Sequence, residues 1–152
     1  MKARRFFTIL CICCSFFMLV GCGVKETAST LLQTDDFRSF KWGDPGYLVR
    51  KEETAQIIYE GDERLMYWDK YYGYDSNITY CFNENELNNG YVSIQSDEDK
   101  NVTFKKIENE LTKEYGEPYD KTKNSMKFNY KDDSVIYLSK DGLQVAVLYS
   151  MN

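Results

Sequence analysis

Three sets of residues in this 152-residue chain have types and spacings that chemistry could use. Asp97-x-Asp99-x-Asn101-Val102-Thr103, with Glu108 further on, sets side-chain oxygens at alternate positions and a late carboxylate behind them. Oxygens so spaced can wrap one hard cation such as Ca²⁺, the late Glu closing the shell. Val102 stands where such a loop needs Gly, and a strand-like run precedes it where a helix is wanted, so an acidic turn capping a helix is the plainer expectation. Tyr67, Trp68, Tyr71, Tyr72 and Tyr74 crowd around Gly73. Strand alternation sends Tyr67 and Trp68 to opposite faces, which puts one of them in the core. Tyr71, Tyr72 and Tyr74 lie in or beside the turn; aromatics exposed there suit a protein partner or the flat face of a sugar, and folding back over the sheet edge is the alternative. The third set is the five cysteines, Cys11, Cys13, Cys14, Cys22 and Cys81.

Catalysis is hard to build from these parts. The chain has no His, so the usual general base and zinc ligand is missing and Cys81 has no imidazole to activate it. Two carboxylates could serve a glycosidase, but acids scattered over an acidic chain are mostly a solvated surface. No catalytic residue, metal ligand or cofactor is assigned, and the chain is expected not to be an enzyme.

Leu19-Val20-Gly21-Cys22 follows a basic Lys2-Ala3-Arg4-Arg5 and an uncharged apolar run over 6–20. Fifteen helical residues reach only about 22 Å, short of the roughly 30 Å of a hydrocarbon core. Basic flank, short apolar run and small residue before Cys22 are the marks of a secretory signal. The tetrapeptide resembles the lipobox of bacterial lipoproteins. The resemblance implies a signal peptide over 1–21 cut after Gly21, a lipid such as palmitate on Cys22, a tether over 22–36 and a domain over 37–152. It implies a location outside the cytoplasm, held to a membrane of the cell envelope. Cys11, Cys13 and Cys14 would leave with the leader, and a lone Cys81 can form no internal disulfide.

Without Lys2, Arg4 and Arg5, the 19 basic residues fall to 16 against 24 acidic ones, and the net charge goes from −5 to −8. That disfavours nucleic acid as a partner.

The elements that must position the candidate residues follow from pattern. Asp44-Pro45 offers an N-cap and a first helical residue for a short helix to about Glu53, with Leu48 and Val49 inward. Ile57-Ile58-Tyr59, Arg64 to Lys70, Asn77 to Asn83 and Leu87 to Gln95 read as strands, separated by turns at Gly61-Asp62, at Gly73 with Asp75-Ser76-Asn77, and at Asn83 to Glu86. Phe104, Ile107, Leu111 and Tyr115 form one apolar stripe of a helix starting at Asn101 or Thr103 and ended by Gly116 and Pro118. Met126, Phe128 and Tyr130, then Val135 to Leu138, then Leu143, Val145, Val147 and Tyr149 form a second meander, with a hairpin at Asp141-Gly142. The order helix, strands, helix, strands predicts an α+β domain, an antiparallel sheet with helices packed on one face. A duplicated helix-plus-meander unit is suggested by that order.

Phe37-Arg38-Ser39-Phe40-Lys41-Trp42-Gly43 before a helix, Tyr80-x-Phe82 with Leu87, and Leu111 with Tyr115-Gly116-Glu117-Pro118 resemble a group of small bacterial lipoproteins of uncharacterised function. Their layout is similar to the helix-plus-meander units of β-lactamase inhibitor proteins and outer-membrane assembly lipoproteins. The resemblance implies fold more than activity. Together these features lead to the expectation of a lipid-anchored, non-catalytic domain that binds an envelope protein through Tyr71, Tyr72 and Tyr74. The alternative is a surface receptor or sensor for a small ligand, a glycan or calcium.

Overall fold

The computed structural model describes residues 35–131, 133–142 and 144–151. They contain two helices and one eight-stranded antiparallel sheet. A short helix, α1 (Gly46–Glu52), precedes β1 (Gln56–Glu60), β2 (Arg64–Tyr71), β3 (Tyr74–Asn83) and β4 (Glu86–Ile94). A long helix, α2 (Lys100–Tyr115), precedes β5 (Asp120–Lys121), β6 (Ser125–Asn129), β7 (Ser134–Lys140) and β8 (Val145–Met151). Each group of four strands is a meander, and the last strands of the two groups pair, giving the order β1-β2-β3-β4-β8-β7-β6-β5.

The registers sort side chains cleanly by face. Tyr67, Ile78, Val92, Val147, Leu138 and Met126 are successive partners across β2, β3, β4, β8, β7 and β6, and all are buried. The neighbouring row of Leu65, Tyr80, Gly90, Tyr149, Ile136 and Phe128 is buried too. Strand alternation puts Met66, Trp68, Tyr91, Leu148 and Tyr137 on the other face. Tyr67 is 2% exposed and Trp68 39%, the split that alternation requires.

Gly90 lies under Phe37, whose ring occupies the space a side chain at position 90 would need. Phe37 meets Tyr80 edge-on at 5.1 Å and Tyr149 at 5.2 Å. The segment before α1 is therefore part of the core.

The expected stripe on α2 is the buried one: Phe104, Ile107 and Leu111 are at most 4% exposed, and Tyr115 is half-buried. Burying side chains such as Ile107 and Leu111 stabilises the fold by about 1.5–3 kcal/mol each. α2 lies against β6, β7 and β8. Its first turn starts earlier than the stripe predicts. Asp99 is the N-cap, its side chain accepting the Asn101 N–H at 2.8 Å. Gly116, at φ 84°, ends the helix. In α1 Val49 is fully buried and Leu48 partly so, but Pro45 rather than Asp44 holds the N-cap position. The Asp44 carboxylate instead accepts the Lys41 N–H at 2.8 Å.

The turn at Gly73 is tighter than predicted, and the Asn83–Glu86 turn falls where it is expected. Tyr72 (φ 46°) and Gly73 (φ 85°) alone connect β2 to β3, with Tyr71 paired to Tyr74. Positive φ at both central residues gives the twist that suits a two-residue hairpin. Asp75, Ser76 and Asn77 consequently belong to β3, where Ser76 is fully buried. Glu84 and Asn85 make the same kind of turn between β3 and β4. The Asp141-Gly142 hairpin is closed by Asp141 N–H to the Gln144 carbonyl at 3.1 Å and Gln144 N–H to the Asp141 carboxylate at 3.0 Å.

Candidate functional site

The tight turn at Gly73 aims its three tyrosines at the sheet end and α2, not outward as an exposed loop would. All three are half-buried and packed against the core. Tyr71 and Tyr149 share a hydroxyl–hydroxyl hydrogen bond of 2.7 Å. Burial pushes both phenols up, Tyr149 to about 12 and Tyr71 well above its ordinary value. The Tyr72 ring stands edge-on to Tyr71 at 4.5 Å, and its hydroxyl donates to Glu114 near the end of α2. Tyr115 donates to the other oxygen of Glu114 at 2.6 Å. Burial raises Tyr72 and Tyr115, and hydrogen bonding to the carboxylate adds to it. Tyr130 stacks edge-on with Tyr115 at 5.2 Å and extends the cluster. Tyr71 and Tyr149 are thus structural, while Tyr72 and Tyr74 keep an accessible side.

That side forms a groove of about 870 Å³ between the β2–β3 turn and α2. Tyr72 and Tyr74 line one wall; Glu98, Lys106, Glu110 and Lys113 line the other. Tyr74 donates to Glu98 at 3.0 Å, Lys106 binds Glu98 at 2.6 Å, and the Lys106 ammonium sits 6.0 Å from the Tyr74 ring centre. Hydrogen bonds donated by Lys106 and Tyr74 hold the Glu98 carboxyl below its ordinary value, and donating to Glu98 holds Lys106 above its own. Lys113 pairs with Glu110 at 2.6 Å. Aromatic surface bordered by paired charges can take a partner that combines an apolar group with hydrogen-bonding groups.

The acidic turn is divided among separate tasks. Asp99 caps α2, and Glu108 faces the core side of the helix, bound by Lys121 at 2.7 Å and Lys105 at 2.9 Å. Burial raises Glu108, but the two lysines outweigh it and the net shift is downward. Among the described residues no three His, Cys, Asp or Glu side chains are grouped to share a metal ion. Cys81 is half-buried, its thiol pushed up by burial and partly offset by Arg64.

Residues that pattern alone does not single out form a charged cluster beside α1. Glu53, with a side chain 5% exposed, accepts from Tyr80 and pairs with Arg38 at 3.2 Å; Arg38 also binds Asp69 at 2.6 Å. The second Glu53 oxygen accepts the Thr54 and Ala55 N–H groups. Every donor here ends on a carboxylate, which makes the cluster a brace joining the first turn, α1 and β3. Arg38 reaches this cluster from a backbone at φ 57°, a conformation that residue types alone do not signal.

Cys22 and the cleavage position Gly21 lie outside the described residues. No family model, curated protein or solved structure matches the chain.

Proposed function

We propose that the chain is a lipid-anchored, non-catalytic domain outside the cytoplasm that binds an envelope protein through the Tyr72–Tyr74 groove. The observation that carries the contact is the groove itself, where two tyrosines with accessible ring surface face two Lys–Glu pairs, Lys113–Glu110 within α2 and Lys106 of α2 with Glu98 just before it. The lipobox-like Leu19-Val20-Gly21-Cys22 supports anchoring, and the resemblance of Phe37–Gly43, Tyr80-x-Phe82 and Tyr115–Pro118 to the small lipoprotein group supports the class. Asp69, Glu98, Asp99 and Glu108 are all held below their ordinary values. A carboxyl that acts as general acid needs the opposite shift, so these four are read as ion-pair and capping groups.

The fold that goes with this proposal is α+β, with both helices on the Tyr80 face. Glu53 just after α1 meets Tyr80, and Glu108 of α2 meets Lys121, the partner of Met126. Two helix-plus-four-strand halves that pair through β4 and β8 support duplication.

The test is crosslinking of the anchored protein in its own cells, with Tyr74→Ala and Lys106→Ala as comparators. A protein captured by the wild type and lost from both variants supports the groove. A partner captured equally by all three overturns it. A soluble sugar that competes with capture would favour the glycan alternative.

A further inference from the structure

We propose that the outer edge of β1 is a second interaction surface, which takes an extended polypeptide segment of another protein as an added strand. β1 is the first strand of the sheet, and all five of its residues are exposed. Ile57, Ile58 and Tyr59 are 44%, 46% and 45% exposed. Trp68, the register partner of Gln56, adds a further exposed aromatic to the same margin. A sheet edge offers unpaired backbone donors and acceptors, and proteins usually guard it with Lys, Pro or a very short strand. The opposite edge, β5, is two exposed polar residues. β1 has no Lys or Pro; the bulge between Ile57 and Tyr59 is its one guarding feature, and it leaves Ile57, Ile58 and Tyr59 all exposed. Strand addition supplies affinity through the main chain and specificity through alternate side chains.

Charge identifies the occupant. At the end of β1 a hollow of about 700 Å³ is lined by Tyr59, Asp62, Glu63, Arg64, Cys81 and Phe82. Asp62 and Glu63 make no ion pair among the described residues, and Arg64 is turned over the Tyr59 ring at 5.0 Å. The fitting segment therefore has β-branched residues at its centre and a Lys or Arg that reaches this hollow. A second copy is the less fitting occupant: the cations that precede β1, Arg50 and Lys51, are paired with Glu60 and Glu52, and two copies of this acidic chain repel. β1 pairs with β2 only from Leu65 to Trp68, and its acidic hollow and the tyrosine turn lie at opposite ends of β2, about 23 Å apart at strand rise, so neither proposal depends on the other.

The test uses the full chain in detergent and fluorescent peptides of alternating Val and Thr ending in Lys-Lys or in Glu-Glu. Anisotropy should show binding of the Lys-ended peptide and little of the Glu-ended one. Ile58→Lys should weaken binding at least about tenfold, the loss typical of a disrupted anchor residue, while its melting temperature stays near wild type because Ile58 is exposed. Asp62→Asn with Glu63→Gln should erase the preference between the peptides. Tyr74→Ala should leave peptide binding unchanged. Absence of binding, or equal binding of both peptides to the wild type, overturns the proposal. So does a concentration-dependent dimer in sedimentation that Ile58→Lys abolishes, which would assign the edge to a second copy.

Discussion

Phe37 lies flat against the Cα of Gly90, filling the space where any larger residue would place its first side-chain carbon. Through this contact the segment before α1 is bolted to the middle of the sheet, between Tyr80 and Tyr149. Gly90→Ala forces the ring or the strand to move, and overpacking of this kind costs about 1–3 kcal/mol. Chemical denaturation should show that loss in the wild-type background. In a Phe37→Ala background the added methyl meets no ring and its cost should vanish, so the double-mutant cycle should return a coupling close to the single-site cost. Additive costs would mean that Gly90 is needed for a reason other than Phe37.

Tyr71 and Tyr74 differ by their partners, although both close the same turn. Tyr71→Phe removes the hydrogen bond to Tyr149 and should cost about 0.5–1.5 kcal/mol of stability, with partner capture unchanged. Tyr74→Ala should do the reverse, reducing capture with a smaller effect on melting. Equal effects of both on capture would place Tyr71 in the contact as well.

Much of the architecture is legible in pattern. The Phe104–Leu111 stripe, the alternation through Met126, Phe128, Tyr149 and their neighbours, and the Asn83–Glu86 turn all follow from period and turn chemistry. The Asp75-Ser76-Asn77 cluster misleads because turn propensity is weak beside the two-residue hairpin at Tyr72-Gly73, which pulls those residues into β3. β5 is too short to carry a period. Tyr72 and Tyr74 are marked by composition, but their groove is completed by Glu98, Lys106, Glu110 and Lys113, whose approach depends on where α2 lands. The exposure of Ile57 to Tyr59 is equally hidden, since an apolar triplet looks the same in a central strand and at an edge.

Glu108 sets an acid limit on stability. Its carboxyl is held below the ordinary 4.5 in the fold by Lys121 and Lys105. The folded state therefore keeps the proton off at pH values where the unfolded chain takes it up. The stabilisation is complete above 4.5 and is lost as pH falls below it through the lowered folded value. Glu108→Gln should lower the melting temperature at pH 7, and the gap from wild type should close as the pH is taken below 4. A gap that persists unchanged to pH 3 would mean that the side chain stabilises by packing alone.

The tyrosine cluster sets an alkaline limit by the same linkage with the opposite sign. Tyr71, Tyr72, Tyr80 and Tyr115 are raised above the ordinary 10.0, mainly by burial. In the unfolded chain these phenols lose their protons near pH 10, while in the fold they keep them. Stability is therefore full below 10 and falls as pH rises past it. Absorbance at a phenolate wavelength should rise in two stages, an early one from the accessible tyrosines and a late one that coincides with unfolding by circular dichroism. A single stage with the fold intact would show that the buried hydroxyls ionise in place.

Anchoring can be tested apart from everything the fold contributes. If Cys22 carries lipid, Cys22→Ala should block attachment and cutting after Gly21, so that the protein keeps the mass of 1–21 and lacks the mass of the acyl chains. Mass spectrometry of the purified protein reads both changes at once. The variant should also lose incorporation of a palmitate probe, while the melting transition of its folded part stays the same because Cys22 precedes the described core residues, which begin at Phe37. Unchanged mass and unchanged probe incorporation would overturn the lipobox assignment and with it the envelope location, leaving the groove and the β1 edge to be tested against partners in another compartment.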